Sequence, residues 1–117
     1  MKTSLMLGMH VSTLGSGLLV AAAALACETP TMVDVPDGAT ATTEQMVRAR
    51  EQVSEYVAAM DEYLACVDEE IQVAGDDAPE EFKVLMIQRY NAAVSEMETV
   101  AEAFNEQLRA FRAANPE

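Results

Sequence analysis

Residues 43–74 read TEQMVRAREQVSEYVAAMDEYLACVDEEIQVA, and the spacing of their apolar positions decides the fold. Met46, Ala49, Val53, Tyr56, Met60, Tyr63, Val67, Ile71 and Ala74 follow one another at gaps of three or four, which sets these side chains along one stripe of an α-helix. Just upstream, Thr42 and Gln45 stand three apart in the pattern of a capping box, and Glu44 falls in the first turn, where the helix dipole favours an acid. Just downstream, Gly75 is a stop signal. The expected helix runs from about 43 to 74.

Beyond Gly75 the same period resumes. Phe82, Met86, Tyr90, Ala93, Met97, Val100, Phe104, Leu108, Phe111 and Ala114 are again three or four apart. Asp77, Pro79 and Glu80 supply start signals, Arg109 and Arg112 lie in the closing turns, and Asn115-Pro116 ends the run, so a second helix is expected over about 79–114. Each helix would be about 50 Å long at 1.5 Å per residue. Two rods of equal length with a short link between them predict an antiparallel two-helix hairpin over residues 42–117. The fold class is all-α, coiled-coil-like in its spacing. One seam buries only a modest core, and Val57, Leu64, Leu85, Ile87 and Val94 flank it. Two covers for that flank are expected: the N-terminal arm, or a second copy of the chain in a homodimeric four-helix bundle.

Upstream of the helices, residues 27–41 contain Pro30, Pro36 and Gly38 and have no sustained period, which reads as an extended arm. Val35-Pro36-Asp37-Gly38 carries turn chemistry, with Pro at the second position and Gly at the fourth. Residues 1–26 read as a cleaved signal peptide. Lys2 is followed by a span without a formal charge, the densest apolar stretch is Gly17 to Ala26, and Ala24-Leu25-Ala26 is an A-x-A end before Cys27.

The arm decides the fate of Cys27. In an exported chain, two cysteines, Cys27 and Cys66, read as a disulfide. The lengths agree: Cys66 to Thr42 spans about 36 Å of helix, and Cys27 to Gly38 about 34 Å of extended chain. An arm that runs back along the first helix therefore brings the two sulfurs together. The alternative is lipidation, because Ala24-Leu25-Ala26-Cys27 resembles the bacterial lipobox with Leu and the small residue exchanged. Cysteine parity favours the disulfide, and a membrane association follows only if Cys27 is lipidated.

Cys27-x-x-Pro30, Val35-Pro36-Asp37-Gly38, Thr43-x-x-Met46 and Tyr63-Leu64-x-Cys66 together make the chain similar to small exported helical proteins of Gram-negative bacteria. The resemblance covers most of the chain after the leader. It implies a periplasmic location and carries no activity with it.

Charge narrows the function classes. After residue 26 there remain Lys83 and five arginines against all twenty acids, and six against twenty gives −14. Such an acid excess repels phosphate backbones, which excludes nucleic acid as a partner, and it repels anionic lipid. A protein partner, basic if the charge is used in recognition, is the expectation. The one histidine is His10, in the leader, so the rest of the chain has no imidazole for a Ser-His or Cys-His nucleophile or for a His-ligated metal. No enzyme activity and no cofactor are expected.

Three constellations carry weaker signals. Asp68, Glu69, Asp76 and Asp77, with Glu70, Glu80 and Glu81, crowd the hairpin tip, and carboxylates at this density are candidate ligands for a divalent cation. They lack EF-hand order, and solvated helix-end charge accounts for most of them. Glu51 with Glu55, and Glu98 with Glu102, lie four apart as carboxylate pairs on helix faces expected to be exposed. Met46, Met60, Met86 and Met97 are thioether candidates for Cu(I), but all fall on the core stripes, where Met is ordinary filler. Tyr56, Tyr63 and Tyr90 are expected in the core with hydroxyls reaching outward. The function expected is non-catalytic: protein–protein interaction or an envelope structural role, with cation binding at the tip as the alternative.

Overall fold

Two helices form where the apolar period requires them: α1 at Thr43–Ala74 and α2 at Glu80–Ala114. The computed structural model describes residues 27–117; the leader reading over residues 1–26 lies outside the described residues. Thr42 caps α1 in the expected box. Its Oγ1 accepts from the Gln45 N–H at 3.1 Å, and the Gln45 side chain accepts from the Thr42 N–H at 2.8 Å. At the other end Gly75 takes φ 73° and ψ −177°, a region open essentially to glycine alone, and its N–H still reaches the Ile71 carbonyl at 3.2 Å. Helix α2 starts one residue later than the sequence pattern suggests, because Pro79 serves as its N-cap residue without a side-chain hydrogen bond. Glu80 and Glu81 occupy its first turn and Arg112 its last. Asn115 closes it twice over, donating to the Phe111 carbonyl from both backbone N–H, at 3.0 Å, and Nδ2, at 2.9 Å.

The helices pack as an antiparallel hairpin around one cluster. Tyr56, Met60, Tyr63 and Val67 of α1 meet Met86, Ala93 and Val100 of α2. Val53, Val57, Leu64, Ile71, Phe82, Tyr90 and Met97 border it, half-buried. Met60 and Met86 are fully enclosed, in keeping with the use of the flexible thioether as core filler. Helix α1 buries six residues and α2 only three, and the asymmetry has a cause: a third element lies on the hairpin. That element is the arm, whose Cys27 and Val33 pack on the same cluster. Pro30 to Asp34 run beside Gln52, Glu55, Tyr56 and Ala59 of α1, while Cys27 and Thr29 border a groove shared with Ala92 and Ala93 of α2.

The arm reverses into α1 through a turn that the sequence reading places two residues too early. The Asp37 carbonyl accepts from the Thr40 N–H at 3.2 Å and the Ala41 N–H at 2.9 Å, and Asp37 Oδ1 accepts from the Ala39 N–H at 3.0 Å. The aspartate side chain thus nucleates the reversal from its own first position, and Pro36 is only the stiff lead-in. Gly38 is not there for a left-handed backbone, since Gly75 is the one described residue with positive φ. It is there for space: a Cβ on Gly38 would overlap the Gln107 carbonyl oxygen and lie 2.9 Å from the Phe111 nitrogen. With no side chain in the way, its N–H donates to Gln107 Oε1 at 2.8 Å and ties the start of α1 to the end of α2.

Of the flanking apolar positions, Val57, Leu64 and Val94 are half-buried, while Leu85 and Ile87 remain exposed. The arm runs beside α1 from Cys66 back past Gln52, and none of its residues lines the hollows that hold Leu85 and Ile87.

Candidate functional site

The sequence argument points first to Cys27 and Cys66, and the structure joins them in a disulfide with Cα atoms 5.8 Å apart. The bond closes the arm onto the elbow-side part of α1 at one end, while the Gly38 contact holds it at the other. Both sulfurs are consumed, and no free cysteine remains. A sulfur bonded to Cys66 has no valence left for a lipid thioether, so the two fates of Cys27 exclude each other and the structure has the cross-linked one. A structural disulfide belongs to an oxidising compartment. Among the described residues, no helix is long and apolar enough to cross a membrane.

Glu70 places a carboxylate oxygen within 4.8 Å of both sulfurs. This neighbour was legible in the sequence as the residue four after Cys66, on the same helix face. With both sulfurs oxidised it has no thiolate beside it. The four tip acids Asp68, Glu69, Asp76 and Asp77 are all exposed, and they do not come together: among the described residues, the Cys27, Cys66 and Glu70 group alone brings three ligand atoms close to one another. What organises the tip is a cation of the chain itself, since Lys83 Nζ donates to the Asp76 carbonyl at 2.8 Å.

The carboxylate pairs Glu51 with Glu55 and Glu98 with Glu102 lie on exposed faces, and no polar or charged side chain is buried among the described residues. Met46, Met60 and Met86 are buried and Met97 is half-buried, each at a core position.

One polar pair crosses the seam. Tyr56 is buried, and its hydroxyl, expected to reach outward, instead donates to Glu96 Oε1 on α2 at 2.8 Å. Burial, then the hydrogen bond to Glu96 and its negative charge, push the phenol from 10.0 up to about 12. The phenol therefore acts as a fixed donor at physiological pH. Nothing in the spacing of Glu96 singles it out, except that it sits between the stripe positions Ala93 and Met97.

Two shallow concavities flank the hairpin elbow. One has Ile71, Phe82 and Ile87 in its wall with Asp76 and Lys83 at its edge. The other lies on the outer face of α2 between Glu80, Glu81, Val84 and Leu85. No known family model, curated protein or solved structure matches the chain.

Proposed function

We propose that this chain is an exported, periplasmic, non-catalytic protein that works by protein–protein contact or as a structural component of the cell envelope. The observation that carries the reading is the Cys27–Cys66 staple on a seam that buries no acid or base. Acid–base or nucleophilic catalysis needs a titratable group whose environment shifts it toward its task. The phenol of Tyr56 is moved away from neutrality and held by Glu96. What the molecule offers to its surroundings is surface: exposed apolar side chains at the elbow and a strongly acidic exterior. The apolar start of the chain and its A-x-A end support export, and the disulfide agrees with that destination.

Crosslinking in intact cells, followed by identification of the captured protein, tests the reading. A reproducible heterologous partner supports contact, and self-crosslinks alone support a structural homo-oligomer. Free cytoplasmic monomer without crosslinks refutes both.

A further inference from the structure

We propose that the hairpin elbow is a docking site for a cationic segment of another protein that presents a bulky apolar side chain. This rests on the protein-contact reading above and names the partner's chemistry. Six large hydrophobic residues are exposed among the described residues, and four of them, Val73, Val84, Leu85 and Ile87, fall between residues 73 and 87. Val73 is 81% exposed and Ile87 56%, whereas the other two, Met32 and Val47, are isolated from this stretch. Val84 and Leu85 border the hollow on the outer face of α2 and Ile87 the one beside Gly75, so exposed apolar side chains edge both concavities of the elbow, the kind of surface that marks an interaction site. The surface there is also concave: Ile71, Phe82 and Ile87 line a hollow of about 620 Å³ beside Gly75.

Charge selects the occupant. Asp68, Glu69, Glu70, Asp76, Asp77, Glu80 and Glu81 surround the elbow in sequence against the one cation Lys83, whose Nζ donates to the Asp76 carbonyl, so acids outnumber it seven to one. A second copy docked elbow to elbow would oppose this set of acids with an identical one, and like charges across an interface are strongly disfavoured. An anionic lipid surface meets the same repulsion. A basic segment meets none, and its apolar anchor removes Ile87 and its neighbours from water.

The test uses the oxidised protein and two labelled amphipathic peptides of one pattern, the first Lys/Leu and the second Glu/Leu. Saturable binding of the Lys/Leu peptide is expected, with amide shifts confined to residues 71–87. Ile87→Ser, at an exposed position that leaves the core intact, should weaken it about tenfold. Glu80→Gln with Glu81→Gln should weaken it and flatten its salt dependence. Equal binding of both peptides, no saturable binding, insensitivity to Ile87→Ser, or self-association that Ile87→Ser abolishes would each overturn the proposal. Photocrosslinkers at Leu85 and at Arg109 in living cells separate this failure from that of the broader reading. Capture of a protein only at Arg109 sinks the elbow and leaves the contact reading standing, whereas capture at neither position sinks both.

Discussion

Gly38→Ala is the sharpest test of how the arm is held. The added methyl group would lie against the backbone of α2, overlapping the Gln107 carbonyl oxygen, 2.7 Å from its carbon and 2.9 Å from the Phe111 nitrogen. Backbone in a helix cannot swing aside as a side-chain tip can, so the turn must lift off. Overpacking of this kind costs about 1–3 kcal/mol, and lifting the turn also breaks the Gly38 N–H bond to Gln107 Oε1, worth about 1 kcal/mol. The sum, about 2–4 kcal/mol, corresponds to a fall in Tm of roughly 10–20 °C for a domain of this size. Thermal melts followed by circular dichroism on the oxidised protein would measure it. Gln107→Ala loses the hydrogen bond without the clash and should cost only about 1 kcal/mol. A Gly38→Ala protein that melts within about 2 °C of the parent, well inside the shift that 1 kcal/mol produces, would show that the arm is not seated on α2 and would refute the reasoning.

Three further outcomes follow from the same contacts. Removing the staple by Cys27→Ser with Cys66→Ser frees a loop with a sequence separation of 39 and should cost about 4 kcal/mol by loop entropy, read as a lower denaturant midpoint; an unchanged midpoint contradicts it. Tyr56 titrates near 10 when unfolded and about 12 when folded, so its contribution is complete below pH 10 and is lost as pH rises through 12. Alkaline melts of Tyr56→Phe, which has no such proton to lose, should show a flatter decline. Thr42→Ala removes the acceptor for the Gln45 N–H and should destabilise the protein by about 1 kcal/mol, with amide exchange rising first in the opening turn of α1.

Much of this molecule is legible in its sequence. A gap pattern of three and four is a local property of each helix, so α1 was readable to both ends and α2 to within one residue. The capping box depends on two residues three apart, and it formed as read. Even the disulfide was accessible, because it rests on arithmetic: a rod and an extended strand of matching length that share a turn place their ends together. The exposure of the acidic tip followed from charge alone.

What stayed hidden depends on which residue of one element faces which residue of another. Glu96 meets Tyr56 across 40 positions of sequence and Gln107 meets Gly38 across 69, and no local pattern encodes either register. The sequence correctly marked Gly38 as special but for a turn conformation, whereas the actual demand is room beside the backbone of α2. It likewise named Leu85 and Ile87 as flank residues without showing that the arm lies beside Gln52 to Ala59 of α1 and that both stay exposed. Period, caps and charge are set within a turn or two of chain, so the sequence alone determined the two rods, their direction and the staple. Close approach and exposure are set by the docking of three elements at once, and only the tertiary structure decided where the arm is seated and which apolar surface it leaves open.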